Sequence, residues 1–304
     1  MTTVRMLATD LDGTLLRPDN TVSARTVAAL AAAREIGFPV VFVTGRPPRW
    51  MPDVVAATGH GGVAVCANGA LLIDQDAGTV LAAHPLAADV ALDVARALTV
   101  TVPGATFAVE YVPSGDVRSI TQGSGRPTVG YSPGYRPRLP PRHDPLVGSL
   151  AELVEADPVV KLLVRGPAGG SADELLALAT ALVGHRAEIT HSSPDDPLLE
   201  ISAPGVSKGT TLAWHAARLG LAAEQVATVG DMPNDVPMLS WAGTSYAVRG
   251  AHPAALAATS GRVLPPEDDG VARLLEALLE LAVVAGPHPG EPIGALNEAP
   301  QPLQ

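Results

Sequence analysis

The stretch Asp10-Leu11-Asp12-Gly13-Thr14-Leu15-Leu16 constrains this chain more than any other. Val4, Met6, Leu7 and Ala8 before it form a short apolar run suited to a buried strand, and Gly13 marks the break that follows. Two carboxylates therefore stand where a buried strand stops. Side chains two apart in an extended chain point the same way, so Asp10 and Asp12 can address one small volume beyond the strand's carboxyl end. Open α/β sheets bind their ligands there. At about 5 Å and an effective dielectric near 20, two such charges repel by roughly 3 kcal/mol, and a dianionic ligand adds to the repulsion. A hard cation with oxygen ligands relieves it, and Mg²⁺ ordinarily takes one or two carboxylates together with phosphate and water. Read alone, the pair is equally good turn chemistry before a glycine.

The segments that follow supply the rest of such a sheet. Residues 23–37 read as a helix with Ser23 as N-cap, a C-terminal glycine, and Val27, Leu30, Ala31 and Ile36 on its buried side. Residues 39–43 read as a second strand ending at Thr44-Gly45-Arg46, where the Thr44 hydroxyl and the Gly45 N–H suit an oxyanion. A third strand over 63–67 leads through Asn68-Gly69 into a hairpin around Asp76-Ala77-Gly78. The pattern then changes. A helix over 87–98 and a strand over 106–112 precede residues 113–145, too rich in Gly and Pro for an assignment. Helix, strand, helix and two strands follow up to residue 204. Residues 205–284 return to strict alternation, with a helix from Lys208 to about Leu219, a strand over 226–229, a helix over 236–241, a strand over 246–248 and a last helix.

Strands alternating with helices imply right-handed crossovers and a parallel sheet. The expected fold is α/β: a Rossmann-like parallel-sheet core from 1–84 and 205–284, an inserted α+β domain over 85–204, and a disordered tail over 285–304, where eight of twenty residues are Gly or Pro. The 304 residues are 47% hydrophobic and 17% charged, a globular balance. A net charge of -11 without clustered Lys and Arg speaks against a nucleic-acid or membrane partner. The apolar run 274–284 is interrupted by Glu276 and Glu280 and is too short for a bilayer. Cys66 stands alone and no basic-then-apolar leader opens the chain, so the expected location is cytoplasmic.

Two later elements match the first two in kind. Gly205-Val206-Ser207-Lys208-Gly209 sets a lysine at a helix start, where free N–H groups favour an anion, although a surface lysine would look the same. Gly230-Asp231-Met232-Pro233-Asn234-Asp235 repeats the acidic turn after an apolar strand, and it also reads as ordinary N-cap chemistry. Together and in this order, Asp10-x-Asp12-Gly-Thr14, Thr44-Gly45-Arg46, Lys208-Gly209 and Gly230-Asp231-x-x-Asn234-Asp235 resemble the four motifs of the haloacid dehalogenase-like superfamily. The large insertion between the second and third motifs is similar to that of its Cof-type phosphatase branch. One departure is visible: the family's Asn-Ala pair after the next strand is replaced by Val248-Arg249-Gly250-Ala251.

The resemblance implies roles position by position. Asp10 matches the nucleophile that becomes an aspartyl phosphate, and Asp12 the general acid and base. Mg²⁺ would be held by Asp10, the backbone carbonyl of Asp12, and Asp231. Thr44, Gly45, Lys208 and Asn234 match the groups that bind the phosphoryl oxygens, with Lys208 also tempering the nucleophile's charge and Asp235 supporting the metal side. The implied activity is Mg²⁺-dependent hydrolysis of a small soluble phosphate monoester, a sugar phosphate or phosphorylated cofactor, under a cap that closes over it. A phosphomutase and a catalytically silent binding protein are the alternatives. In the insertion, Arg118, Arg126, His143 and His191 either read the substrate or stand as solvated side chains.

Overall fold

The computed structural model describes residues 3–118, 126–137 and 144–285. Residues 119–125 and 138–143 of the Gly/Pro-rich run, His143 among them, and the tail from 286 lie outside the described residues. The chain opens with β1 (Met6–Thr9), α1 (Ala24–Glu35), β2 (Val40–Val43), α2 (Met51–Thr58) and β3 (Val63–Cys66), followed by the hairpin β4 (Leu71–Asp74) and β5 (Thr79–Ala83). After the insertion come α6 (Lys208–Arg218), β12 (Val226–Gly230), α7 (Val236–Trp241), β13 (Thr244–Val248), α8 (Pro253–Ala257), β14 (Gly261–Val263) and α9 (Gly270–Ala285).

All these strands share one eight-stranded sheet in the order β14-β13-β12-β1-β2-β3-β4-β5, parallel except for the hairpin. The early strands are laid down on one side of β1 and the late ones on the other, so the order reverses at β1. That reversal opens a crevice beyond the carboxyl ends of β1, β2 and β12. Period-two alternation divides the sheet's side chains. Leu7, Phe42, Ala64 and Val229 pack with α1 and α9 on one face, while Met6, Ala8, Val41, Val43 and Val65 pack with α6 and α7 on the other. Burial on both faces is why these strands read as unbroken apolar runs.

The insertion folds as α3 (Ala88–Thr101), β6 (Thr106–Tyr111), β7 (Val129–Tyr131), β8 (Leu146–Val147), α4 (Leu150–Ala156), β9 (Val159–Arg165), α5 (Ala172–Val183), β10 (Glu188–Thr190) and β11 (Leu198–Ser202). Its six strands make a second sheet, ordered β10-β11-β9-β6-β7-β8. Phe107, Val109, Leu162, Val164, Leu199 and Ile201 pack one face of this sheet against α3, α4 and α5. The other face carries no helix, yet Glu110, Lys161 and Glu200 on it are buried. The core covers them, and the second sheet is a cap.

Several sequence expectations are corrected. Ser23 caps α1 as expected, its hydroxyl accepting the Thr26 N–H. The buried side of α1 is Thr26, Ala29, Leu30 and Ala33, however, while Ile36 is 51% exposed. An alanine-rich helix offers no dominant apolar stripe, so its partner α9 selects the face. Helix α2 and strand β14 have no counterpart in the expectation, β7 falls in the middle of the run left unassigned, and β8 follows directly after it. The last helix begins at Gly270, four residues before the apolar run suggested. No helix among the described residues is long and apolar enough to cross a membrane.

The join between α6 and α7 depends on one missing methyl group. A Cβ on Gly209 would stand 2.5 Å from the carbonyl carbon and oxygen of Pro237 and 2.8 Å from the Met238 nitrogen, all backbone atoms. Gly209→Ala should therefore destabilise the protein by about 1–3 kcal/mol, the usual range for overpacking. Urea denaturation measures this as a lower midpoint at an unchanged slope. An unchanged midpoint would show that the two helices separate freely.

Candidate active site

Asp10 continues the β1 ladder, its N–H donating to the Val229 carbonyl at 2.9 Å, and its side chain is 7% exposed. The chain then turns sharply at Gly13, whose φ of 77° is in the left-handed region. A Cβ there would also meet Asp231 Oδ2 at 2.5 Å, so the acidic turns after β1 and β12 touch where only glycine fits. Thr14 fixes the contact by donating its hydroxyl to Asp231 Oδ1 at 2.7 Å.

Lys208 enters this acidic space from the first turn of α6, capped by Ser207. Its ammonium is 1% exposed and donates to Asp10 Oδ1 at 2.5 Å and to Asp235 Oδ1 at 2.6 Å. Burial alone would lower its pKa, but the two carboxylates hold it above the ordinary lysine value, so it is a cation. The other oxygen of Asp235 accepts the N–H groups of Asp231 and Met232 at 2.8 and 2.9 Å. Asp235 is thus fully occupied in shaping its own turn and holding Lys208.

One lysine does not balance this site. Burial pushes Asp10 well above the ordinary carboxylate value; Lys208 pulls it back, and Asp235, Asp231 and Asp12 push it up again. Asp231 is pushed up to about 7, by burial first and by Asp235 second. Carboxylate oxygens of Asp10, Asp231 and Asp235 lie within 4.8 Å of one another. An all-oxygen, under-neutralised donor set fits a hard divalent cation. Asp10 Oδ2 and Asp231 Oδ2 have no hydrogen-bond partner among the described residues, whereas both oxygens of Asp235 are taken.

The carboxylate of Asp12 faces away from that trio. It is held by Arg46, whose Nε donates to Oδ2 at 2.8 Å and whose terminal nitrogen donates to Oδ1 at 2.5 Å. Asp12 remains more than half exposed at the mouth of the site. Sequence reasoning noted Arg46 within its motif but gave it no role. Thr44 is buried, and its Oγ1 accepts the Arg46 N–H at 3.0 Å, which leaves its own O–H to donate elsewhere.

The residue sequence reasoning missed here is Asn68. It has a left-handed φ of 57°, which asparagine tolerates, and its N–H donates to the Thr44 carbonyl at 3.1 Å. Its side chain joins the expected residues, with Oδ1 accepting Asn234 Nδ2 at 3.1 Å and Nδ2 donating to Glu200 Oε2 of the cap at 3.0 Å. Lys161 Nζ, also from the cap, donates to Glu200 Oε2 and to the Gly45 carbonyl, each at 2.6 Å. Arg49 of the core donates to Glu110 Oε1 at 2.7 Å, and Lys161 lies 3.3 Å from Glu110 Oε2. A charged residue at alternate positions of an otherwise apolar strand was the available signal.

The cap residues expected to read a substrate are otherwise engaged. Arg118 pairs with Asp116 and donates to the Asp76 carbonyl, and exposed Arg126 pairs with Asp157. His191 is fully buried and its Nε2 donates to Asp173 Oδ1 at 2.8 Å. His252 of the core meets Asp173 Oδ2 at 3.2 Å. Because His252 Nδ1 accepts the Ala254 N–H, Nε2 carries the ring proton and donates it, so this trio is a cap–core hydrogen bond rather than a metal centre.

Comparison with known proteins identifies the family. A family model described as haloacid dehalogenase-like hydrolase matches residues 7–109 and 147–275. The chain is 29% identical to the pyridoxal phosphate phosphatase YbhA of Escherichia coli (strain K12), over 90% of this chain and 98% of that protein. It is 27% identical to the HMP-PP phosphatase of Shigella flexneri serotype 5b (strain 8401), over 82% of this chain and 85% of that one. The solved structure of SMU.1108c from Streptococcus mutans UA159 shares the fold with a TM-score of 0.75 at 22% identity, covering 91% of this chain and 100% of that one. With its crevice at β1, its inserted cap and its lysine-bridged acidic turns, the chain belongs to the haloacid dehalogenase-like hydrolases, in their Cof-type phosphatase branch.

Proposed function

We propose that this protein is a Mg²⁺-dependent phosphatase that hydrolyses a small soluble phosphate monoester through an aspartyl phosphate on Asp10. The observation that carries the reading is the buried Asp10 carboxylate at the end of β1, held by Lys208 yet short of positive charge. A pyridoxal phosphate phosphatase and an HMP-PP phosphatase among the relatives support a phosphorylated cofactor or a sugar phosphate of similar size. We take residues 85–204 as the cap that selects it.

Asp10 attacks phosphorus as the bond to the leaving alkoxide breaks, and Asp12 gives that alkoxide a proton. Water then attacks the aspartyl phosphate while Asp12 takes a proton back, regenerating both carboxyl groups. Thr44, the Gly45 N–H, Lys208 and Asn234 hold the phosphoryl oxygens, and Arg46 aims Asp12. Asp10, Asp231 and the Asp12 carbonyl would hold Mg²⁺, which would offset the repulsion between carboxylates and phosphate. Asp235 supports Lys208 and the turn that carries Asp231.

Two expectations follow from these roles. Asp231 titrates at about 7 in the folded protein against about 4 unfolded, so between those values the folded state binds more protons. The stability this group contributes is present at low pH and is lost as pH rises through about 7. In chelator, melting temperature should therefore fall across that window. Mg²⁺ should restore it, and Asp231→Asn should weaken both effects. A flat profile for the chelated wild type would contradict the electrostatics.

Asp12 has two jobs that separate by leaving group. A nitrophenolate needs little protonation, whereas water always needs a base in the second step. With nitrophenyl phosphate, Asp12→Ala should give a burst of nitrophenolate approaching one equivalent and a phosphate label on the protein; Asp10→Asn should give neither. Slow turnover without a trapped phosphoenzyme would refute the assignment. Release of inorganic phosphate across a panel of phosphorylated metabolites identifies the substrate, and product isomers without phosphate release would mark a mutase instead.

A further inference from the structure

The helix-free face of the cap sheet presents Glu110 on β6, Lys161 on β9 and Glu200 on β11, at 3%, 2% and 5% exposure. Glu110 lies directly opposite Lys161 in the strand register. With Arg49 from the core the group holds two cations and two carboxylates, so it is buried without net charge. One of its hydrogen bonds ends on Gly45 and another on Asn68, which in turn holds Asn234, so the group reaches two residues assigned above to phosphate binding. We propose that Lys161 and Glu200 are positioning residues for phosphoryl transfer, through which the docked cap sets the donors that receive the phosphoryl group. The inference rests on the phosphatase reading.

Two arms carry it. Lys161 pulls on the Gly45 carbonyl, and that carbonyl shares a rigid peptide plane with the Arg46 N–H. The Arg46 N–H in turn occupies Thr44 Oγ1, which directs the Thr44 proton to another acceptor. The second arm works through donor and acceptor identity. The carboxylate of Glu200 only accepts, so Asn68 must turn its NH₂ toward it and its oxygen toward Asn234. Asn234 must then present its own NH₂ to Asn68, with one of that group's two protons left for a ligand. Ser192 Oγ donates to Glu200 Oε1 at 2.5 Å, completing the carboxylate's partners.

The pair's contribution to fold can be separated from its contribution to geometry. Lys161→Met leaves an uncompensated buried carboxylate and should lower the melting temperature. The double variant Lys161→Met with Glu200→Gln removes one charge of each sign and keeps the Arg49–Glu110 pair, so it should melt nearer to the wild type. Glu200→Gln preserves shape but no longer dictates how Asn68 faces. All three variants should lose at least tenfold in kcat/KM for nitrophenyl phosphate. Calorimetry with Mg²⁺ present should show inorganic phosphate binding weakened by a similar factor. A double variant with wild-type kcat/KM and wild-type phosphate affinity would overturn the inference. Should the wild type bind phosphate yet release none from any ester, the phosphatase reading falls, while the phosphate affinities still decide on Lys161 and Glu200. A wild type that binds no phosphate overturns both.

Discussion

The structure depends on a buried ammonium group shared between two buried carboxylates. Lys208 joins Asp10, 198 residues earlier in the chain, to Asp235, 27 residues later. A charge withdrawn from water is costly unless it is paired and hydrogen-bonded, and removing either partner leaves the rest unpaired. The arrangement therefore couples two strand ends and a helix start that no local interaction would bring together. It also fixes where in the chain an insertion is tolerated. Everything between β5 and α6 can be a separate layer, because β1 and β12 pair directly and the lysine returns across the gap.

The same crevice is chemically divided. Asp10, Asp231 and Asp235 form an acidic half whose carboxylates outnumber the lysine that serves them. Thr44, Gly45, Asn68 and Asn234 form a neutral half made of hydroxyl, amide and backbone groups. On the proposed phosphatase reading, a phosphoryl group bound between them would meet oriented dipoles on one side and a charge deficit on the other. Such preorganised dipoles need no rearrangement as charge develops, which is where they act most strongly.

Much of this was legible in the sequence. Asp10, Asp231 and Lys208 could be placed because each belongs to a short local pattern at a strand end or helix start, and the parallel core followed from apolar runs separated by helices. What escaped were residues whose meaning comes from distant partners. Asn68 looked like a turn, yet its side chain ties Glu200 to Asn234. Arg46 was visible, but its grip on Asp12 spans 34 residues. The face of α1 was misjudged for a similar reason, since Val27 and Ile36 are as apolar as the residues that α9 covers.

Two of the contacts between cap and core flank the crevice, and they are of unequal consequence. Beside the acidic half the contact is the His252–Asp173 hydrogen bond, with the Asp173 side chain 53% exposed. Water competes for such a contact, and exposed pairs contribute at most about 1 kcal/mol. Beside the neutral half the contact is the buried group of Arg49, Glu110, Lys161 and Glu200. Breaking one partner of a buried pair costs about 3–5 kcal/mol, because it strands the other charge. The position of the cap is thus decided on the neutral side of the crevice. The acidic half, built by β1, β12 and α6 of the core alone, can be complete before the cap docks.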